Sequence, residues 1–171
     1  MARNFAFIGC ALIAAPAHTA VKSLTPAGFE LESKAVVRAA PAEAYAAAGR
    51  LGEWWNPAHT YSGKAANLSF EPRAGGCFCE RTDDGGTIEH GRIVYAQPGQ
   101  ALRVRGALGP LQASGVSGSL TWAFKAVPGG TEITQTYVVG GYVPGGAEKL
   151  APLVDQVMSE QFGRLVARLN R

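Results

Sequence analysis

The feature that most constrains this chain is its last stretch. Leu150, Leu153, Val154, Val157, Met158, Phe162, Leu165, Val166 and Leu169 recur at helical spacing, with Asp155, Gln156, Ser159, Glu160, Arg164 and Arg168 on the opposite side. A stripe this long has to be buried against a large apolar surface. What precedes it is mostly strand and tight turn. Asp83-Asp84-Gly85-Gly86, Gln97-Pro98-Gly99-Gln100 and Pro128-Gly129-Gly130 are turn sequences, each set between runs rich in strand formers. Links of hairpin length imply an antiparallel sheet. The concave face of that sheet is the one large partner available to the helix.

The rest of the chain fits one domain. Phe29 to Ala39, with Val36-Val37, reads as a first strand. Pro41 suits the first turn of a helix over Ala42 to Leu51, which Gly52 breaks. Glu53 to Asn56 adds a turn before Pro57. Strands are then expected over Asn67–Glu71, Cys77–Thr82, Thr87–Ala96, Ala101–Gly106, Ser119–Val127 and Thr131–Val139, with a long connection from Ala107 to Gly118. Apolar residues make up 47% of the 171 and charged residues 17%, a globular balance. The net charge of +3 is not gathered into any basic run, which argues against a nucleic-acid or membrane-surface patch. There is no internal repeat.

The N-terminus reads as a leader. Met1-Ala2-Arg3-Asn4 is a short basic start, Phe5 to Ala15 is apolar, and Ala15-Pro16-Ala17 offers the small residues a signal peptidase requires. A signal peptide over residues 1–20 is expected, with cleavage near Ala17–Ala20. A linker would follow over residues 21–30, then the domain over 31–171. The apolar run is too short to span a bilayer. The mature protein is therefore expected to be periplasmic or secreted, with Cys77 and Cys79 as its two cysteines.

Several short motifs occur in a telling order. Val36-Val37-Arg38-Ala39-Ala40-Pro41-Ala42-Glu43 is followed by Trp54-Trp55 at a helix end, then by Pro72-Arg73-Ala74-Gly75-Gly76-Cys77-Phe78. Gly91-Arg92-Ile93-Val94-Tyr95-Ala96-Gln97-Pro98-Gly99-Gln100-Ala101-Leu102 and Gly130-Thr131-Glu132-Ile133-Thr134 come after. In this order they resemble the SRPBCC superfamily (START and polyketide-cyclase-like proteins), and most nearly the branch homologous to the C-terminal domain of the heat-shock-chaperone ATPase activator. The resemblance runs from about Leu31 to Leu169. It implies an α+β helix-grip (START/Bet v-like) fold, in which a curved antiparallel sheet of about six to seven strands wraps the long C-terminal helix. It also implies a cavity between them for a lipid, sterol, polyketide or aromatic compound. One fold hosts many functions, so no activity follows from it alone.

Strand alternation assigns faces. Leu120, Trp122 and Phe124 share one face, and Ile133, Gln135, Tyr137 and Val139 another, both taken as inward. The expected ligand-binding residues are Trp54, Trp55, Phe78, Glu80, Trp122, Phe124, Gln135, Tyr137, Met158 and Phe162. One tryptophan of the pair is expected in the core and the other at the cavity mouth. Glu80 shares the face of Phe78. Its carboxyl is then in the cavity, with raised proton affinity unless Arg103 or Arg105 pairs with it. Glu80 and His59 are the candidate acid/base groups. His90 is expected to share a face with Ile88, Arg92 and Val94, away from its neighbour Glu89. Cys77 and Cys79 have three readings: buried small residues, a local disulfide, or soft metal ligands with His59 or His90. In a regular strand their α-carbons are roughly 6.5–7 Å apart, at the edge of disulfide geometry.

The sequence has no Gly-x-Ser-x-Gly elbow, no phosphate loop and no His-Glu-x-x-His, and no cofactor is expected. The favoured function is an exported protein that binds a small hydrophobic or aromatic ligand between sheet and helix. The alternatives are a cofactor-free cyclase or hydratase using the same cavity, and a chaperone-activator-like interaction module without ligand.

Overall fold

The structure, a computed structural model, describes residues 18–171. Eight strands form one antiparallel sheet: β1 (His18–Thr25), β2 (Gly28–Val37), β3 (Leu68–Phe70), β4 (Cys77–Arg81), β5 (Thr87–Gln97), β6 (Ala101–Arg105), β7 (Gly115–Val127) and β8 (Gly130–Tyr142). Their order across the sheet is β1-β2-β8-β7-β6-β5-β4-β3, so β1 and β3 are the edges. Helix α1 (Pro41–Ala48) crosses one end, and helix α2 (Ala147–Leu169) runs over the concave face. The α+β helix-grip expectation is borne out, with eight strands rather than six or seven.

The extra strand is β1. The stretch expected as a linker over residues 21–30 holds most of β1 and the start of β2, and β1 pairs with β2 from His18 opposite Lys34 to Thr25 opposite Gly28, with one register shift between Val21 and Ser23. Val21 and Leu24 stay exposed, so the strand carries little of the alternation that marks a half-buried one. Backbone pairing, with Lys22 reaching Glu32 across the pair, holds it in place. The expected signal peptide lies largely outside the described residues, and its last three positions, 18–20, belong to β1.

Local sequence explains most other boundaries. Pro41 opens α1, and Glu43 accepts a hydrogen bond from the Ala40 amide at 3.0 Å, which satisfies a free donor of the first turn. Strand β7 starts at Gly115, earlier than expected, because Gly115 to Gly118 pair with the extended end of β8. Helix α2 starts at Ala147, so Pro152 falls in its second turn.

Helix α2 is not centred on the sheet; it packs most closely over β1 and β2. Its C-terminal half closes down on the core, where Phe162 and Leu165 are fully buried. Its N-terminal half touches the core only through the small Ala147 and Ala151, and Leu150, Val154 and Val157 are only half-buried. Among the described residues no helix is long and apolar enough to cross a membrane.

Candidate functional site

The half-buried end of α2 roofs a cavity of about 700 Å³. Its walls are Trp55 to Tyr61 after the tryptophan pair, Phe78 and His90 on the sheet, the Leu108–Ser114 connection, Tyr137, and the turn from Val143 to Gly146. The lining is mainly aliphatic and aromatic. The volume falls in the range of small-molecule sites, roughly 300–1,000 Å³.

Of the expected ligand-binding residues, Trp55, Phe78, Tyr137 and Met158 line this cavity. Trp54, Trp122, Phe124, Gln135 and Phe162 do not, and the reason is packing. They fill the opposite end of the groove, where α1 and the C-terminal half of α2 meet the sheet. Trp54 donates its indole N–H to the Ala47 carbonyl at 3.0 Å and stands edge-on to Trp122. Trp122 donates to Gln135 Oε1 at 2.9 Å, and Gln135 donates to the Met158 carbonyl at 3.2 Å. Phe124 packs edge-on against Tyr45. These polar groups find their partners inside the protein, as buried polar groups must. Trp54 and Trp55 do point to different places. Trp55 donates to the His59 carbonyl at 3.1 Å and so fixes the loop that forms the cavity mouth.

Tyr137 lines the cavity with its ring, but its hydroxyl is committed. It accepts from the Leu108 amide at 3.1 Å and donates to the Gly106 carbonyl at 3.1 Å, which anchors the start of the Leu108–Ser114 wall. Burial, against a smaller opposing effect of the Leu108 hydrogen bond, pushes the phenol up to about 12. The ring lies so close to β7 that a β-carbon at Gly118 would stand 2.6 Å from it.

Glu80 is fully buried just behind the wall. Its carboxylate accepts from the Tyr61 amide at 3.2 Å and the Ser62 amide at 2.5 Å, and it meets His90 Nε2 at 2.9 Å. Burial alone would raise its proton affinity. The hydrogen bonds from Ser62, His90 and Tyr61 together outweigh burial and hold the carboxyl below its ordinary value. This differs from the expected raised affinity. The expected arginine partners are elsewhere: Arg103 and Arg105 project from the outer face of β6, where Arg103 donates to Thr121 Oγ1.

His90 reaches Glu80 because the β4–β5 hairpin pairs Glu80 with Ile88, whose face His90 shares; β5 is then bulged. Phe78 pairs with Gly91, whereas Cys79 pairs with Glu89, which leaves His90 as the extra residue. Before the bulge Ile88 and His90 point inward; after it Ile93 does, and Arg92 and Val94 point out. The expected shared face of His90 with Arg92 and Val94 is thus broken by a single inserted residue. The imidazole is sandwiched between Phe78, at 4.8 Å between centroids, and Tyr61, at 6.0 Å. Gly91 and Gly106 face each other beside the bulge, and a β-carbon on Gly106 would lie 2.2 Å from the His90 carbonyl. Only glycine allows the two strands to approach this closely.

His59 stands at the mouth and meets Glu160 of α2 at 3.0 Å. An Asn56 hydrogen bond, opposed by burial and aided by His59, holds the Glu160 carboxyl below its ordinary value. Asn56 also accepts from the Ala58 amide and so shapes the turn that carries His59.

Cys77 and Cys79 lie on the outer face of β4 and are joined as a disulfide with α-carbons 5.4 Å apart. The separation is shorter than regular strand geometry gives, and the register shift opposite this strand is where the pairing departs from regularity. The expected soft-metal alternative is therefore set aside, because the sulfurs are consumed and face away from His90. Among the described residues no cluster of three or more metal-ligating side chains occurs.

Sequence reasoning missed Leu108, Leu111 and Val143 as wall residues. The Gly- and Pro-bearing connection from Ala107 to Gly118 was the available signal, since long connections often carry function.

Three comparisons bear on the whole arrangement. The structure is similar to that of a protein from Rhodobacter sphaeroides, at 20% identity and TM-score 0.59, covering 89% of this chain and 98% of that one. It is similar to a conserved protein of unknown function from Enterococcus faecalis, at 11% identity and TM-score 0.60, covering 86% and 74%. It is also similar to the di-domain aromatase/cyclase StfQ from the steffimycin biosynthetic pathway, at 14% identity and TM-score 0.58, covering 84% of this chain and 51% of StfQ. At such identities these likenesses establish the fold alone. No curated protein matches the sequence. The family model described as polyketide cyclase/dehydrase and lipid transport matches residues 28–170. The nearer affinity to ATPase-activator homologues rests on the motifs alone, and the matched span settles the wider question: this chain belongs to the polyketide cyclase/dehydrase and lipid transport family, within the SRPBCC superfamily.

Proposed function

We propose that the protein is an exported carrier of a small hydrophobic or aromatic molecule, held between the N-terminal half of α2 and the sheet. One observation carries this reading. The apolar stripe of α2 continues past the packed core, and there Leu150, Val154 and Val157 face about 700 Å³ of cavity instead of protein. A helix that keeps its apolar face over a void gains from a ligand that removes that face from water, by about 25 cal/mol per Å² buried. The family description, which includes lipid transport, fits the same reading.

Export is part of the proposal. A leader over the first 17 residues, cleaved after Ala17, would leave β1 whole from His18, whereas cleavage after Ala20 would remove its first three residues. The Cys77–Cys79 disulfide supports an oxidising compartment.

Native mass spectrometry of the protein recovered from the exported fraction tests both parts. The expected spectrum shows a chain beginning at His18 with an added mass that organic solvent removes. An intact N-terminus would overturn export. A clean apo mass, with no thermal shift across a panel of fatty acids and flat aromatics, would overturn the carrier reading.

A further inference from the structure

We propose that His90, held by Glu80, is a catalytic base that removes a proton from carbon on the molecule bound in the cavity. This rests on the cavity being a ligand site and adds a reaction to it.

The geometry is that of an oriented base. Glu80 is sealed from solvent and already receives two backbone N–H groups, so its remaining acceptor capacity is directed to His90 Nε2. An ionised carboxylate at 2.9 Å from Nε2 places the ring proton on that nitrogen. The lone pair is then on Nδ1. That nitrogen has no hydrogen-bond partner among the described residues, yet it is not one of the sealed, unpaired side-chain atoms. His90 is only 6% exposed and lines the cavity, and the cavity is the open space assigned to this nitrogen. Phe78 and Tyr61 flank the ring on either side and restrict its rotation. The other titratable groups on the wall are His59, Tyr61, Tyr137 and Lys149. Of these, His59 is engaged by Glu160 and the Tyr137 hydroxyl by backbone.

A purely structural histidine would have both nitrogens occupied. His90 is also the extra residue of a bulge, and bulges concentrate beside active sites. The apolar, aromatic wall suits an apolar, ring-bearing molecule, and a base as weak as imidazole requires its C–H to be acidified by a neighbouring carbonyl. Nδ1 takes the proton, the C–H pair moves into the carbonyl to give an enolate, and the imidazolium is held by the Glu80 carboxylate. Where a carbon–carbon double bond lies next to that C–H, the enolate is a dienolate, and returning the proton to its far carbon gives a net isomerisation with no oxidant, reductant or cofactor.

Nitrobenzisoxazole is a suitable probe, since it is flat, apolar and opened by a single proton removal. The base takes its ring C–H proton, the electron pair forms a nitrile, the N–O bond breaks and a coloured phenolate leaves. The wild-type protein is expected to accelerate this opening, and His90→Gln to lower the rate by about 100-fold, within the usual range for general base catalysis. Anilinonaphthalenesulfonate fluorescence reports cavity binding in the same samples. Glu80 is a positioning residue: Glu80→Gln should lose most of the rate and Glu80→Asp recover part of it. Ring-nitrogen chemical shifts of the wild type should show His90 protonated at Nε2 and bare at Nδ1, a signature that Glu80→Gln abolishes. Equal rates for wild type and His90→Gln with dye still bound would overturn the inference and leave the carrier reading intact. A wild-type ring protonated at Nδ1 would overturn it even if the variants fail to fold. Absence of dye binding by the wild type would sink the cavity reading and this inference with it.

Discussion

The two ends of the groove are built from the same elements and do opposite things. At one end α1 and the last turns of α2 press Trp54, Trp122, Phe124 and Phe162 together, and both indole N–H groups there are paired within the protein. At the other end the same helix, with the same stripe, stands off the sheet over a cavity. The difference lies in what backs the helix. The packed end has two indoles and a second helix to fill the space. The hollow end has loops, pinned by the Tyr137 hydroxyl and the Trp55 indole, that wall the space without filling it. Apolar periodicity therefore specifies a buried helix but not what buries it.

That contrast can be broken by substitution. Trp122→Ala should cost about 3–5 kcal/mol in urea melts, because it empties a filled site. Val154→Ala, at the edge of an existing void, should cost under about 1 kcal/mol. Equal costs would mean that the two ends do not differ. Next in size is Glu80→Gln, with a loss on the order of 1–3 kcal/mol at neutral pH from a disturbed buried network. Its pH dependence sharpens the prediction. Glu80 is held below its ordinary value of 4.5 in the fold, since its hydrogen bonds outweigh the opposing effect of burial. Its contribution is therefore complete above the unfolded value and is lost as pH falls through the folded one. Melts from pH 7 to pH 3 should show a shallower acid limb in the variant; an unchanged limb would remove Glu80 from the account of acid stability. Filling the hollow end with Val154→Trp should then cut dye affinity at least tenfold, about 1.4 kcal/mol, with little change in melting. Retained affinity would place the ligand elsewhere. The smallest effect is expected from replacing Cys77 and Cys79 together by serine. So short a closed loop constrains the unfolded chain weakly, so stability should fall by under about 1 kcal/mol. Dye affinity should not move, because the disulfide is on the outer face, and a measurable drop would show that the outer face is coupled to the cavity.

The fold was legible from the hairpin turns, the ordered motifs and the stripe of α2, all of which are local patterns. Alternation also indicated that Phe78 and Glu80 share a face. Three things were not legible, each for a physical reason. β1 was hidden because an edge strand with exposed Val21 and Leu24 has no buried face to advertise. The partner of Glu80 was hidden because alternation gives faces but not the register between β4 and β5, and the inserted residue then turned Arg92 and Val94 away from the face of His90. Gly91 was the available hint, since glycine inside a strand often marks a bulge. The position of the cavity was hidden because inward-facing residues look alike in sequence whether they meet a ligand or another side chain. Trp122 and Phe124 were credible wall residues until Trp54 and Tyr45 were found against them.

The sheet order has a further consequence in time. Apart from the edge strand β1, β2 has only β8 as its partner, so Phe29 waits for Val139, more than a hundred residues on. Pairing so distant carries a large loop-closure cost and slows folding. A chain emerging N-terminus first cannot close this sheet until nearly all of it has been made. The topology thus holds the early β1–β2 hairpin apart from the rest of the sheet until synthesis is nearly complete, so the fold cannot lock from its N-terminal side.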